Sequence, residues 1–198
     1  MRIFGVKFTG SEVYELLAAW MLLSIAFSIL YSGTDLDMFI RLMPICAASV
    51  GLGFVLHELG HKVYAQRYGL EAHFKANYQG LMLAVLMSFM GFIYVAPGAV
   101  WIRGVLSRRQ NGIISMAGPL INIILGVGFL SLYFSPLSAN QYIGLTAYLG
   151  YMINTWVGLF NLIPSQPFDG AKIMAWNKGV YFSLVFMAGG LYLSSYII

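Results

Sequence analysis

Long apolar runs separated by short polar segments make up most of the chain. A helix needs roughly 20 apolar residues to cross the hydrocarbon core of a bilayer. Runs of about that length cover residues 13–31, 38–64, 111–134, 142–163 and 178–198. We therefore predict an α-helical polytopic membrane protein with about five transmembrane helices, built as a single membrane-embedded domain over residues 1–198.

Residues 70–103, between the second and third predicted helices, follow a different pattern. Leu70–Asn77 alternates loosely between apolar and polar side chains, as a strand does. Residues 80–102 form an uncharged apolar stretch with strand-like residues at 92–95. We predict a strand, a shallow re-entrant stretch that does not cross the membrane, and a second strand ending near Arg103. Residues 70–103 would thus form a small membrane-associated β element. The sequence is compatible with either helix or strand in its re-entrant part.

The composition supports a membrane protein and argues against nucleic-acid binding. Hydrophobic residues make up 60% of the chain and charged residues only 9%, whereas a soluble domain is about a quarter charged. The net charge of +4 comes from few residues, and no basic helix face is interleaved with stacking aromatics. Cys46 is the single cysteine, so no internal disulfide can form.

Basic residues indicate which ends of the predicted helices face the cytoplasm. Arg2 and Lys7 precede the first apolar run, which we expect to be retained as a helix rather than cleaved as a signal. More basic residues lie at the end of the second predicted helix, at position 62, and between it and the third, at positions 67, 75, 103, 108 and 109. The N-terminus and the 62–110 region are therefore predicted to be cytoplasmic.

The segment His57-Glu58-Leu59-Gly60-His61 fits the pattern H-E-x-x-H near the end of the second apolar run. On a helix, residues four apart lie on one face one turn apart, so both imidazoles can reach one metal ion. Catalytic zinc has three protein ligands and one open position, and Glu58 is placed to act as general base. The alternative is a structural polar cluster, which would bury these groups in lipid at a cost of several kcal/mol.

A third protein ligand is required, and His73 and Asp169 are the candidates. Asp169 is the last acidic residue of the chain, within the Pro- and Gly-broken segment 164–170. If residues 80–102 do not cross the membrane, Asp169 emerges on the same side as the paired histidines, which favours it. Its alternative role is to cap a short helix over Ala171–Trp176. We predict one zinc ion held by His57, His61 and Asp169.

Three segments together resemble the site-2 protease family of membrane-embedded zinc metalloproteases. They are His57–His61, Gly118–Asn122 with its G-P-x-x-N pattern, and Asn161–Gly170. The resemblance covers roughly residues 40–176. It implies an enzyme that hydrolyses peptide bonds in or near transmembrane segments of membrane-protein substrates.

By this resemblance, His57, His61 and Asp169 match the metal ligands and Glu58 the catalytic glutamate. It also places Asn122 and Asn161 near bound substrate. Asn122 could instead hold helices together, and Asn161 could satisfy backbone groups freed by Pro164.

The same resemblance implies partners and a mode of substrate binding. The partners are the lipid bilayer and substrates with a transmembrane helix, and an edge of the 70–103 sheet would bind the unwound substrate as an added strand. The chain lacks a PDZ or CBS domain of the kind that many relatives carry, and no sequence feature fixes its oligomeric state.

Two other functions fit parts of the sequence. One is a catalytically silent relative that binds membrane proteins, although every proposed catalytic residue is present. The other is a membrane transporter with a metal site on its path. Transporters usually show internal repeats and paired broken helices, whereas this chain has one broken segment and no repeat. The protease is the favoured interpretation.

Overall fold

The computed structural model describes residues 2–3, 5–93 and 97–197, which are mostly helical. The helices are α1 Gly10–Ser32, α2 Leu36–Cys46, α3 Leu52–Arg67, α4 Tyr78–Ser88, α5 Arg108–Tyr133, α6 Gln141–Asn161, α7 Asp169–Trp176 and α8 Lys178–Ser194. The strands are β1 Arg2–Ile3, β2 Val6–Lys7, β3 Glu71–Ala76 and β4 Gly98–Arg103. A single 3₁₀ turn, Pro136–Ala139, precedes α6.

Polar side chains fix where most of these helices begin. Thr9 and Ser107 each form a capping box, with Glu12 and Gln110 respectively, at the start of α1 and α5. Each box satisfies backbone N–H groups that a helix end leaves without partners. Side chains cap α2, α4, α6 and α8 in the same way, at Asp35, Asn77, Asn140 and Asn177.

Helices α2 and α3 form one continuous helical rod over Leu36–Arg67. A π-helical turn, Ala47–Gly51, joins them three residues after Pro44. Such turns are rare and occur often at functional sites. Here the turn lies just before the segment that carries the paired histidines.

Three helical segments of the described residues are long and apolar enough to cross a membrane: Gly10–Ser32, Leu36–Arg67 and Arg108–Tyr133. They match the first three predicted spans. Helices α6 and α8 occupy the positions of the fourth and fifth. At 17 residues, α8 is only about 25 Å long. The chain is therefore a helical protein with three candidate membrane spans, and the total of five stays a prediction.

The 70–103 region forms a strand–helix–strand unit. Strands β3 and β4 pair antiparallel, from Glu71 opposite Arg103 to Ala76 opposite Gly98. The second strand thus ends where the sequence predicted. Between them, α4 has 11 residues, about 16 Å or half the hydrocarbon thickness. Phe92 and Ile93 lie outside regular structure, and the rest of the predicted strand-like run, 94–95, lies outside the described residues.

Acidic side chains of α1 occupy the outer edge of β3. Glu12 accepts a hydrogen bond from the Phe74 N–H at 2.9 Å, and Glu15 accepts one from the Ala76 N–H at 2.7 Å. Lys62 forms an ion pair with Glu12 at 2.6 Å and donates to the Ala72 carbonyl at 2.6 Å. These contacts fix the sheet against α1 and α3, because both members of the ion pair are buried and neither can be lost without leaving an uncompensated charge.

Candidate active site

Both histidines of the H-E-x-x-H segment lie on one face of α3 and are buried, His57 at 4% exposure and His61 at 8%. Each ring has a hydrogen-bond partner on its Nδ1 atom, supplied by α5. His57 Nδ1 lies 2.5 Å from Asn122 Oδ1, and His61 Nδ1 lies 2.8 Å from the Ile114 carbonyl oxygen. Helix α5 therefore sets the orientation of both imidazoles.

These partners determine which ring nitrogen carries the proton. A carbonyl oxygen only accepts, so Nδ1 of His61 must donate to Ile114. The Asn122 amide nitrogen faces two oxygens, Asn154 Oδ1 at 3.0 Å and the Gly53 carbonyl at 3.4 Å, so its Oδ1 faces His57, whose Nδ1 must also donate. In the neutral rings, both Nε2 atoms therefore carry lone pairs.

Asp169 completes a group of three potential ligands. Its Oδ2 atom lies 3.1 Å from His61 Nε2 and 3.5 Å from His57 Nε2, and the two Nε2 atoms are 3.1 Å apart. Lone pairs so close together repel one another unless they share a cation. Ligand atoms about 2.0–2.1 Å from a tetrahedral zinc ion are about 3.3–3.4 Å apart. The triangle has edges of this size, so the donor set fits one zinc ion.

Gly118 on α5 leaves room beside this triangle. A Cβ atom at that position would lie 2.5 Å from the Nε2 atoms of both His57 and His61, closer than atoms can approach. The G-P-x-x-N segment thus supplies an open face at Gly118 and a partner for His57 at Asn122.

Glu58 lies between the two histidines in sequence and is buried at 7% exposure. Its Oε2 atom is enclosed and has no hydrogen-bond partner within the described part of the chain. The backbone N–H of Val100, in β4, interacts with the same carboxyl group. A buried carboxylate oxygen without a partner costs free energy, so this group is poised to bind a proton or a water molecule.

Asp169 begins α7, and its second oxygen lies 3.5 Å from Lys172 Nζ. Burial by itself would raise the pKa of the Asp169 carboxyl, but the imidazoles of His61 and His57, when they are protonated, outweigh burial and lower it. The carboxylate form, which is the form that binds metal, is therefore favoured. The alternative capping role is wrong, because Phe168 occupies the N-cap position and no side chain caps α7.

The other predicted residues lie in different surroundings. His73 is in β3 opposite Trp101 and does not belong to the His57, His61 and Asp169 group. The Asn161 side-chain amide donates to the Val157 carbonyl at 3.0 Å. The Phe160 carbonyl, four residues before Pro164, accepts from the Ile163 N–H at 3.2 Å. The predicted role of Asn161, to satisfy backbone groups freed by Pro164, is therefore wrong. Asn161 lines a cavity beside the metal ligands, and its contact with substrate stays a prediction.

Asn122 is buried at 1% exposure, and its side-chain oxygen contacts His57 Nδ1. It also lines the cavity beside the metal ligands, and its contact with substrate stays a prediction. Its carboxamide also bridges α5 to α3 and α6 through Gly53 and Asn154, so the helix-joining alternative describes part of its role. Asn154 was missed by sequence reasoning, although an asparagine in an apolar helix was the signal that could have found it.

Comparisons with known proteins agree with this site. The chain is 37% identical over 185 residues to "Putative zinc metalloprotease MJ0611" of Methanocaldococcus jannaschii, covering 91% of each. It is 30% identical over 155 residues to "Putative zinc metalloprotease YwhC" of Bacillus subtilis, covering 68% of this chain and 69% of that one. It is 31% identical over 121 residues to "Zinc metalloprotease MJ0392" of M. jannaschii, covering 61% of this chain and 30% of that one.

No protein-family model matches the chain, and no solved structure matches it. The alignment with the first M. jannaschii protein nevertheless extends over nearly the whole length of both chains. The buried His57, His61 and Asp169 group could hold one metal ion, as the names of these relatives lead one to expect. The chain therefore belongs to the family of proteins named as zinc metalloproteases that includes these M. jannaschii and B. subtilis proteins.

Proposed function

We propose that this chain is an intramembrane zinc metalloprotease of the site-2 protease type, which hydrolyses peptide bonds in or near transmembrane segments of other membrane proteins. One observation carries the proposal. The Nε2 atoms of His57 and His61 lie within 3.5 Å of Asp169 Oδ2. Both histidines belong to a helical segment that is long and apolar enough to span a membrane. The metal centre would thus lie where few soluble substrates could reach it.

The residues of the centre would divide the work of hydrolysis. When bound, zinc activates a water molecule at neutral pH and polarises the scissile carbonyl. Glu58 accepts a proton from the attacking water as the new C–O bond forms, and donates it to the amide nitrogen as the C–N bond breaks. Its unpartnered Oε2 atom supports this role over that of a silent binding protein.

The cavity beside the ligands suits an apolar polypeptide segment. It measures about 490 Å³, and its wall includes the metal ligands and five aromatic side chains. These are Phe27, Phe54, Trp156, Phe160 and Phe168. Such a wall favours the apolar side chains of a transmembrane helix over charged ones.

A transmembrane helix hides its peptide bonds, so the substrate must unwind and find new hydrogen-bond partners. Sheet edges offer such partners, and the outer edge of β3 is occupied by Glu12, Glu15 and Lys62. In β4, the residues opposite Ala72, Phe74 and Ala76 point their backbone groups outward. Those residues are Ile102, Val100 and Gly98, and all of them line the cavity.

The outer edge of β4, on which the Val100 N–H already contacts the Glu58 carboxyl, is therefore the edge we propose for substrate binding. Replacing Ile102 with proline removes one outward N–H group, which an edge strand tolerates. We expect cleavage to fall about fivefold or more, because one hydrogen bond contributes about 1 kcal/mol. Zinc content should stay unchanged. The control is Ile102→Ala, which keeps the N–H; equal loss in both variants would assign the effect to the side chain instead.

The distribution of charge supports a cytoplasmic active site. The N-terminal segment carries Lys7, and the 62–110 region carries exposed Arg67, Lys75, Arg103 and Arg108. By the positive-inside rule, these residues would keep the metal end of α3 at the cytoplasmic surface.

The proposed function is tested by reconstituting the pure chain in liposomes with single-span membrane proteins. Candidate substrates would come from comparing membrane proteomes of cells that express the wild type or Glu58→Gln. We expect cleavage within or next to the span, located by mass spectrometry, abolished by a zinc chelator and restored by zinc. Zinc-loaded protein that cleaves none of the enriched candidates would contradict the proposal.

A further inference from the structure

Two buried carboxamides connect His57 to the backbone of the π-helical turn. Asn122 Oδ1 lies against His57 Nδ1 at 2.5 Å, and Asn122 Nδ2 donates to Asn154 Oδ1 at 3.0 Å. Asn154 Nδ2 in turn donates to the carbonyls of Gly150 at 2.8 Å and Ser49 at 3.2 Å. Both asparagines are 1% exposed, so water does not substitute for these partners.

The backbone carbonyls at one end of this series of hydrogen bonds determine which atom donates in each of the others. The carbonyls of Ser49 and Gly150 can only accept, so the amide nitrogen of Asn154 must face them. Asn154 then presents its oxygen to Asn122, which must present its own nitrogen in return. The Asn122 oxygen is left for His57, and Nδ1 of that ring has to be the protonated nitrogen.

The packing around Asn154 holds this orientation. Gly53, one helical turn before His57 on α3, has no side chain, and a Cβ atom there would overlap the Asn154 oxygen. The absence of that atom lets the carboxamide of α6 enter between α3 and α5. The hydrogen bonds of Asn154 within the described ranges go to Asn122, Ser49 and Gly150, so it acts on His57 through Asn122.

We propose that Asn154 is a positioning residue that selects the tautomer of His57 able to bind metal. With Nδ1 protonated, the Nε2 lone pair points at His61 and Asp169. If the Asn122 carboxamide turned over, its NH₂ group would face Nδ1 and favour the ring form with the proton on Nε2. That form cannot bind a metal ion through Nε2. The inference rests on the metal centre of the proposed function.

The tautomers of the two histidines are therefore fixed in different ways. His61 donates straight to a backbone carbonyl, that of Ile114, and needs no side chain to fix its tautomer. His57 depends on the Asn122 side chain, which Asn154 holds at 3.0 Å and the Gly53 carbonyl at 3.4 Å. A substitution at residue 154 should consequently change the tautomer of His57 and leave that of His61 unchanged.

The experiment uses the full chain in detergent or bilayer, labelled with ¹⁵N in its imidazole rings. The zinc-free protein is measured at a pH where the rings are neutral, and the ring ¹⁵N shifts report the tautomer of each histidine. Asn154→Leu removes the nearer of the two acceptors of the Asn122 amide and leaves only the Gly53 carbonyl at 3.4 Å. In this variant we expect His57 to populate the form protonated on Nε2. We also expect the Kd for zinc, measured against a competing chelator, to rise about tenfold.

Thr155→Val is the matched control. Thr155 is the next residue of α6 and equally buried, and its hydroxyl donates to the Tyr151 carbonyl of its own helix. We expect this variant to keep the wild-type ¹⁵N shifts and zinc Kd. A change in folding stability alone, with both readouts unchanged in Asn154→Leu, would overturn the proposal.

If Asn154→Leu does not fold, Asn154→Ser serves as the second variant. A serine on a helix bonds back to its own preceding turn, and it is too short to reach Asn122. The same shift of tautomer and the same weakening of zinc binding are expected, and wild-type values of both would overturn the proposal. Because neither readout uses proteolysis, a wild type that binds zinc but cuts no peptide would defeat the proposed function and leave this inference standing.

Discussion

Replacing Glu58 with glutamine is expected to abolish peptide hydrolysis while leaving zinc bound. The glutamine side chain has nearly the same shape, but it cannot accept a proton from water. General base catalysis typically contributes about 10²–10⁴-fold to a rate, so kcat should fall by at least about a hundredfold. Because Glu58 is not one of the His57, His61 and Asp169 group, elemental analysis should still find zinc in the purified variant.

The matched control is Glu71→Gln, which removes an exposed carboxylate at the start of β3. This variant should cleave at the wild-type rate, since its side chain lies outside the cavity that holds the metal ligands. Wild-type cleavage by zinc-loaded Glu58→Gln would remove Glu58 from the mechanism. Loss of zinc from that variant would instead assign Glu58 a part in binding the metal.

Sequence patterns located α1, α2, α5, α6 and α8 well because each lies in an apolar run and begins at a polar capping residue, such as Asp35 or Asn140. The patterns were less informative about whether a given helix spans the membrane. An apolar run does not distinguish a helix that crosses the membrane from one that is buried within the protein. Lys178–Ser194 is a case of this kind, since its apolar residues also pack against α7 and α5.

The insert shows a similar division. Its first strand was predicted from alternation over residues 70–77, and its second from strand-like residues at 92–95 and the basic end at Arg103. Both strands are present, but the second begins only at Gly98. Its middle was left open, because short apolar runs are equally compatible with helix and strand. The structure contains helix α4 there, capped by the side chain of Asn77.

The site was predictable where the chemistry is local. His57, Glu58 and His61 belong to one helical turn, so their spacing alone indicates a shared metal. Asp169 required an argument about the number of membrane crossings, and its atoms do lie beside the histidines. The hydrogen bonds of Asn122 and Asn154 could not be predicted, because they depend on how α3, α5 and α6 rotate against one another.

Gly118 is a second position at which we expect a large effect, although it contributes no ligand. A methyl group there would lie 2.5 Å from His57 Nε2 and from His61 Nε2. Normal contacts between nonbonded carbon and other heavy atoms are about 3.5 Å or longer. Gly118→Ala should therefore push α5 away from α3 or fill the space beside the ligands. We expect the Kd for zinc to rise at least about a hundredfold, with every ligand still present.

Gly128→Ala separates this steric effect from the general cost or benefit of alanine in a helix. Gly128 lies on the same helix, and an added Cβ atom would meet nothing within 4 Å. That variant should bind zinc with wild-type affinity and be slightly more stable, because alanine favours helix over glycine by about 1 kcal/mol. If Gly118→Ala also bound zinc normally, α5 could not lie against the Nε2 atoms as closely as described. The orientation of Asn122 toward His57, four residues further along the same helix, would then lose its support as well.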